Sequence, residues 1–219
     1  MFINITDVGP TFSNSTWTST QQEGSTGTVF TANATDINGG TPVYSLTGTD
    51  ASLFNINSST GVVSFKTAPD FENPLDSDHN NSYLFNIVAT TVGGVATTTS
   101  PLITLTVTDV PITFSSGTTA STPESVPTST AVYTAVASDT GGSPIYSLSG
   151  TDAALFNINA STGAVTFKTS PNFEAPTDNG ANNVYNFDVK ATQGSQSATR
   201  SVALTVTNVA PTLASSAVN

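Results

Sequence analysis

A repeated stretch of 31 residues constrains this chain more than any other feature. The segment 44–74 reads YSLTGTDASLFNINSSTGVVSFKTAPDFENP, and it returns 102 positions later, at 146–176, as YSLSGTDAALFNINASTGAVTFKTSPNFEAP. The two copies are identical at 23 of the 31 positions. Self-similarity at a fixed offset is the signature of a tandem array. We therefore predict two similar domains of about 100 residues, each large enough for its own hydrophobic core.

A short repeated motif marks the ends of these domains. The motif ITDV at 5–8 resembles VTDV at 107–110 and VTNV at 206–209. The predicted segments are the end of a preceding repeat at 1–9, a first domain at 10–109, a second domain at 110–208, and the start of another repeat or a tail at 209–219. The join at Asp109-Val110-Pro111 has no Gly/Ser run, which indicates a connection that is not a flexible linker.

Hydrophobic alternation gives the fold class. Apolar Tyr185, Phe187 and Val189 alternate with polar Asn186 and Asp188, and a period of two indicates a sheet with one buried face. The predicted strands of the first domain are 11–18, 29–34, 43–46, 54–56, 61–65, 83–90 and 103–108. Seven short strands in about 100 residues predict an all-β, immunoglobulin-like sandwich.

Turn residues separate the predicted strands. The turns at 38–40, 58–61 and 93–94 contain glycines, which supply the positive φ angles that tight turns need. Asp50 and Asp152 each stand before a short segment that we expect to form a single helical turn capped by the aspartate.

Composition excludes several classes of function. The chain has four basic and 15 acidic residues, a net charge of −11, so nucleic acid and anionic membrane surfaces are not expected partners. It has no cysteine, hence neither disulfides nor thiolate metal sites. No apolar run approaches the length of a membrane span. Because we find no nucleophile–histidine pair and no phosphate loop, we predict that the chain is not an enzyme.

The glutamates are few and regularly placed. Glu72 and Glu174 close the motifs DFE and NFE, and Glu23 and Glu124 precede the second strand of each domain; the chain has no other glutamate. This placement indicates one common role. The alternative is surface solubility, for which scattered charges would be expected.

Seven motifs occur in a fixed order in the first repeat, and the second repeat has the same order with Asn172 and Asn208 in place of two aspartates. In the first they are Glu23, A-x-D at 34–36, Y-S-L at 44–46, F-x-I-x-x-x-T-G at 54–61, D-x-E at 70–72, an alternating strand at 83–89, and a closing segment at 105–109. In this combination each repeat resembles a cadherin-type domain over nearly the whole chain. The similarity is greatest to the Thr-rich cadherin-like repeats of large bacterial secreted or cell-surface proteins of the RTX-adhesin type. It implies two tandem seven-stranded Greek-key β-sandwiches in an extracellular protein.

The resemblance also implies Ca²⁺ as a cofactor, since cadherin acids bind calcium between successive domains. Calcium takes six to eight oxygen ligands. The implied ligands at the junction are Glu23, Asp70, Glu72, Asp109 and Asp139. The implied partial sites elsewhere, which would need neighbouring domains or further ligands, are Asp36, Glu124, Glu174 and Asp178.

Departures from the family pattern reduce the expected number of ions. Val110-Pro111 stands where the family's linker carries further Asn and Asp, and Asp139 lacks the usual second Asp. We expect one or two ions at the junction, with a junction held by packing alone as the alternative. Asn172 and Asn208 replace aspartates in the second domain, so its corresponding site is predicted to be weaker.

A separate loop has the D-x-D-x-N spacing of the first half of an EF-hand. Its candidate ligands are Asp76, Asp78 and Asn80, and the second copy keeps Asp178. A local calcium loop and a polar turn between strands are both open interpretations.

The leading hypothesis is a calcium-dependent structural and adhesive module of a long extracellular protein. Its expected partners are adjacent repeats of the parent protein, homophilic contacts or surface glycans. One rival is a carbohydrate-binding sandwich, for which Trp17 is the candidate stacking platform. Another rival is a subunit of a self-assembling fibre or surface layer.

Overall fold

The computed structural model describes residues 7–37, 39–91 and 96–211. The chain divides into two compact units, Met1–Val110 and Pro111–Asn219, which we call unit 1 and unit 2. The segments predicted at 1–9 and 209–219 as parts of neighbouring repeats lie largely outside the described residues, as does the turn predicted at 93–94. Within the described residues, no helix is long and apolar enough to span a membrane.

Unit 1 is an antiparallel sandwich with one parallel strand pair. Its strands are β1 Thr11–Phe12, β2 Thr18–Gln22, β3 Thr28–Thr31, β4 Ala34–Thr35, β5 Val43–Thr47, β6 Phe54–Ile56, β7 Val62–Phe65, β8 Ser82–Thr90, β9 Thr97–Thr99 and β10 Ile103–Thr108. One sheet has the order β2-β10-β8-β5, with β9 also pairing to β8, and the other has the order β3-β7-β6. β1 pairs with β4, and β2 runs parallel to β10. When β1/β2, β3/β4 and β9/β10 are each counted as one interrupted strand, the unit has the seven strands that the sequence predicts.

Unit 2 repeats this architecture. Its strands are β11 Thr113–Phe114, β12 Thr119–Pro123, β13 Tyr133–Thr134, β14 Ala137–Ser138, β15 Ile145–Ser149, β16 Phe156–Ile158, β17 Ala164–Phe167, β18 Val184–Gln193 and β19 Gln196–Thr207. The sheets are β12-β19-β18-β15 and β13-β17-β16, with β11 paired to β14. The fold is therefore all-β, with two tandem immunoglobulin-like sandwiches, as predicted.

The last strand differs between the units. In unit 2 it is continuous through β19, whereas in unit 1 it is interrupted between β9 and β10. Pro101 lies in the interruption and has no N–H to donate to a strand ladder. Ser100 bridges the gap, since its N–H donates to the carbonyl of Ile87 at 2.8 Å and its Oγ accepts the N–H of Ile87 at 2.9 Å.

Aromatic rings form the centre of each core. Tyr83 and Phe85 of β8 are at most 1% exposed, and they meet two rings from the opposite sheet. Phe54 lies 4.7 Å from Phe85, and Phe65 lies 5.1 Å from Tyr83, measured between ring centroids. The corresponding pairs of unit 2 are 4.8 and 5.2 Å apart. The predicted inward face of the alternating strand is confirmed, and the apolar positions of the repeated stretch supply its facing layer.

The prediction of a single opening strand is wrong. The continuous strand expected at 11–18 is instead two strands, β1 and β2, which belong to different sheets. Between them Asn14 turns the chain: its side chain accepts the N–H of Asn33 at 2.8 Å and donates to the carbonyl of Thr31 at 2.9 Å. A polar side chain that satisfies backbone groups in this way competes with continuous pairing.

The predicted helical turns exist, but their predicted caps are wrong. Ala51–Leu53 and Ala153–Leu155 form 3₁₀ turns with Asp50 and Asp152 at the preceding position, and neither aspartate makes a side-chain capping bond. Both carboxylates bond to more distant backbone groups instead, as described below. The glycine turns agree with prediction where the structure describes them, since Gly39, Gly40 and Gly61 all have positive φ.

Candidate functional site

Three carboxylates converge at one end of unit 1. One oxygen each of Glu23, Asp70 and Glu72 lie within 4.8 Å of one another, and we call this set the acidic cluster. Glu23 follows β2, whereas the other two lie in the segment after β7. The backbone joins these segments, because the N–H of Gly24 donates to the carbonyl of Pro69 at 2.8 Å. The fold therefore brings Glu23 together with two acids that lie 47 and 49 positions away in sequence.

Glu23 links three segments of unit 1. Its Oε2 accepts the N–H of Phe71 at 3.0 Å, and its Oε1 accepts the N–H of Val110 at 2.8 Å. Its own N–H donates to the carbonyl of Thr108 at 3.1 Å. Hydrogen bonds to an ionised carboxylate are stronger than those between neutral groups. Through Val110, Glu23 also positions the adjacent Asp109 at this end of the unit.

Asp70 shapes the loop that carries the other two acids. Its Oδ1 accepts the N–H of Glu72 at 3.0 Å and that of Asn73 at 3.1 Å. Aspartate side chains commonly hold turns in this manner. The turn directs Glu72 back toward Asp70 and Glu23, so that three like charges lie close together.

The charge of unit 1 favours a cation at this cluster. Residues 1–110 contain nine acidic residues and one basic residue, Lys66, a formal charge of −8. The Lys66 ammonium donates to the carbonyl of Ser52 at 2.7 Å. Clustered carboxylate oxygens are the ligands that hard cations such as Ca²⁺ prefer, and a bound cation offsets their repulsion. The donor set of the acidic cluster therefore fits the metal that the sequence predicts.

Unit 2 has the same frame with two different side chains. Oε2 of Glu124 accepts the N–H of Phe173 at 3.1 Å, and its Oε1 accepts the N–H of Val209 at 2.9 Å. These bonds, that from Val209 above all, hold the pKa of Glu124 below its ordinary value. Asn172 takes the place of Asp70, and its Oδ1 accepts the N–H of Glu174 at 2.9 Å.

The second difference in unit 2 adds a hydrogen bond. Asn208 Nδ2 donates to Glu174 Oε1 at 3.2 Å. In unit 1 the corresponding residues are Asp109 and Glu72, and an ionised carboxylate has no proton to donate. The two ends therefore share a backbone frame and differ in charge.

The D-x-D-x-N loop is held by buried carboxylates. Asp76 is 1% exposed. Its Oδ2 accepts the N–H of Asn80 at 2.9 Å, and its Oδ1 accepts the N–H of Asn81 at 3.2 Å. Asp178 of unit 2 accepts N–H groups from the corresponding loop. Backbone donors thus satisfy these carboxylates, as burial of a charge requires.

The other predicted ligands of this loop are also engaged locally. Asn80 Nδ2 donates to Asp78 Oδ2 at 2.7 Å, and Asn80 Oδ1 accepts the N–H of Ser82 at 2.7 Å. The neighbouring Asp76 carboxylate raises the pKa of Asp78 through hydrogen bonding and repulsion. A polar turn accounts for this pattern, and the calcium-loop interpretation stays a prediction.

Asp50 and Asp152 are structural acids, for which the sequence predicts a local capping role that is wrong. Asp50 is 3% exposed and accepts the N–H groups of Ser77 at 2.9 Å and Leu84 at 2.7 Å. Asp152 does the same with Asn179 and Asn186. The sequence feature that points to a common role for these two aspartates is the G-T-D motif, which both copies of the repeated stretch contain. Its aspartate faces a segment about 30 positions away, which no local pattern reveals.

Three other predicted ligands each directly follow a strand, and Asp109, after β10, has a carboxylate oxygen within 4.8 Å of one of Glu23. Asp36 directly follows β4, and Asp139 directly follows β14 in unit 2. Asp139 Oδ1 accepts the N–H of Thr140 at 2.7 Å. The roles of Asp36, Asp109 and Asp139 at junctions between domains stay predictions.

Several solved structures of cadherin extracellular regions are similar to this chain. Repeats EC22-24 of mouse cadherin-23 share 22% identity, with 92% of this chain and 65% of that chain covered and a TM-score of 0.43. Repeats EC1-4 of Drosophila N-cadherin share 21% identity over 92% of this chain and 50% of that chain, with a TM-score of 0.46. Repeats EC1-2 of human protocadherin-24 share 18% identity over 93% of this chain and 100% of that chain, with a TM-score of 0.44. No protein-family model and no curated protein matches the chain.

Proposed function

We propose that the chain is a calcium-binding, non-enzymatic structural and adhesive module from an extracellular bacterial protein of the RTX-adhesin type. The observation that carries this proposal is the convergence of Glu23, Asp70 and Glu72 within 4.8 Å. The resemblance of both repeats to cadherin-type domains supports the same conclusion. Asp109 and Asp139 are proposed further ligands on the strength of that resemblance.

Calcium bound at the acidic cluster would stiffen one end of unit 1. The cluster joins the end of β2 to the loop after β7, and Glu23 extends that connection to the end of β10 through Val110. A cation held by all three carboxylates would resist separation of these segments. A repeat with a rigid end restricts the orientation of the repeat that follows it. Such a restriction suits a module that projects a binding surface.

Calcium-dependent unfolding tests the proposal directly. The single tryptophan, Trp17, lies in unit 1, so its fluorescence reports the unfolding of that unit. The melting midpoint should rise in about 10 mM CaCl₂ relative to EDTA, since calcium at about 100 times its Kd adds about 2.7 kcal/mol of stability. Magnesium at the same concentration should give a smaller shift, because it dehydrates reluctantly and demands octahedral geometry. Superimposable curves in calcium and EDTA would contradict the proposal.

The carbohydrate-binding alternative finds little support in the aromatic residues. Trp17 packs between Phe12 and Phe30, with ring centroids 5.5 and 5.9 Å away. Its ring is thus engaged within unit 1, whereas a sugar-stacking platform needs an exposed face. A glycan pull-down tests this alternative, and electron microscopy of the purified protein tests assembly into fibres or layers.

A further inference from the structure

We infer that the corresponding end of unit 2 is built to hold its charge without a metal ion, so that calcium binds at the acidic cluster of unit 1 and not at this end of unit 2. The Asn208–Glu174 hydrogen bond takes the place of the cation. The inference rests on the proposed function, which supplies the calcium site of unit 1, and adds how the two repeats differ in metal dependence.

The backbone frame is the same in both units. Glu23 and Glu124 accept their two N–H bonds at 3.0 and 2.8 Å, and at 3.1 and 2.9 Å, respectively. Gly24 and Ser125 each donate to a proline carbonyl at 2.8 Å. We therefore attribute a difference in metal response to side chains, above all to the two positions at which an aspartate of unit 1 is an asparagine in unit 2.

The first substitution removes a charge and keeps the turn. Asn172 accepts the N–H of Glu174 at 2.9 Å, as Asp70 accepts that of Glu72 at 3.0 Å. An amide oxygen is a sufficient acceptor for this purpose. The loop of unit 2 thus adopts its shape with one carboxylate fewer.

The second substitution supplies a donor. Asn208 Nδ2 points at Glu174 Oε1, 3.2 Å away, and so directs the positive end of an amide dipole at the carboxylate. The four corresponding positions are Glu23, Asp70, Glu72 and Asp109 in unit 1, and Glu124, Asn172, Glu174 and Asn208 in unit 2. Their formal charge falls from −4 to −2. A calcium ion at the end of unit 2 would have to displace the Asn208–Glu174 hydrogen bond. It would also meet half the negative charge that is present at the four positions of unit 1.

Amide hydrogen exchange, measured on the intact chain, reports the stability of each unit separately. Peptides from Ile103–Thr108 report unit 1, and peptides from Gln196–Thr207 report unit 2. Relative to EDTA, we expect about 10 mM CaCl₂, which exceeds the Kd range of extracellular calcium modules, to slow exchange about tenfold or more in unit 1. We expect a smaller factor in unit 2, whose only proposed ligand is Asp139. Slowing of both units to the same degree overturns this inference alone, whereas a chain in which neither unit responds overturns the proposed function as well.

Restoring the two aspartates tests the cause. Asn172→Asp with Asn208→Asp should make the unit 2 peptides respond to calcium more strongly than in the wild type and should speed their exchange in EDTA. The control, Asn157→Asp with Thr199→Asp, adds the same charge at exposed positions of β16 and β19 and should respond to calcium no more than the wild type. If the double variant is unfolded in EDTA, calcium should restore its protection, and Asn208→Asp alone provides a milder form. A folded double variant whose unit 2 responds to calcium no more than that of the wild type, while unit 1 responds fully, overturns the inference.

Discussion

Glu23 and Phe71 are 48 positions apart, and the carboxylate of one accepts the N–H of the other at 3.0 Å. Together with the bond from Val110 at 2.8 Å, this contact gives Glu23 a structural role in addition to its proposed role as a calcium ligand. The two roles separate experimentally, because the first persists in EDTA and the second does not.

Glu23→Gln should destabilise unit 1 even without calcium. The glutamine keeps one carbonyl oxygen but turns an NH₂ group toward the N–H of Phe71 or Val110, which leaves a buried donor unsatisfied. The expected loss is about 1–3 kcal/mol of unfolding free energy, measured by urea titration of Trp17 fluorescence in EDTA. Glu124→Gln is the matched control, since it makes the same change in unit 2 and should leave the Trp17 transition in place. If Glu23→Gln is as stable as the wild type in EDTA, the structural role of Glu23 is excluded.

Glu72→Gln should have opposite effects in the two conditions. In EDTA it removes one of three close like charges, so the melting midpoint of unit 1 should stay the same or rise. In calcium it removes a ligand, so the shift that calcium produces should shrink by more than half. Thermal melts of Trp17 fluorescence at several calcium concentrations measure both effects. Retention of the full calcium shift would exclude Glu72 as a ligand.

Asp76→Asn distinguishes a polar turn from a calcium loop. Each carboxylate oxygen of Asp76 accepts a backbone N–H inside the loop, and an asparagine replaces one acceptor with a donor. The expected loss is about 1–3 kcal/mol, equal in calcium and in EDTA. Asp78→Asn, at an exposed position of the same loop, is the control and should have a smaller effect. A loss seen only in calcium would instead favour the calcium-loop interpretation.

Unit 1 should lose stability at alkaline pH through Tyr83. Burial raises the pKa of Tyr83 above its ordinary value of 10.0. A raised pKa means that the folded state holds the proton more tightly, so the contribution is complete below pH 10 and is lost as the pH rises from there through the folded-state pKa. The melting midpoint of unit 1 should therefore fall above about pH 10.

Tyr83→Phe is the variant that checks this assignment. It removes the titrating hydroxyl, which also accepts the N–H of Leu75 at 3.3 Å, so some stability should be lost at every pH. The alkaline fall should become shallower than in the wild type. If the fall has the same slope in both proteins, another group is responsible.

Much of the fold follows from local patterns. The repeat at an offset of 102 residues is visible by direct comparison of two segments. The alternation along β8 and β18 and the glycine turns are properties of short segments, and they limit the backbone conformation regardless of what the segment packs against. The same holds for the placement of the four glutamates, which marks both ends as related sites. The split of the opening strand into β1 and β2 was not predictable in this way, because it depends on Asn14 reaching the distant Asn33.

Sequence by itself determined that this chain forms two related β-sandwiches, and it singled out the glutamates at their ends as candidate ligands. Only the tertiary structure decided what those acids contact. Glu23 meets Phe71, Asp50 meets Leu84, and Asn208 meets Glu174, each across 34 or more positions. The physical reason is that periodicity specifies which face of a strand is buried, whereas a side-chain hydrogen bond depends on which distant backbone group the sheet topology places within 3 Å or so of the oxygen.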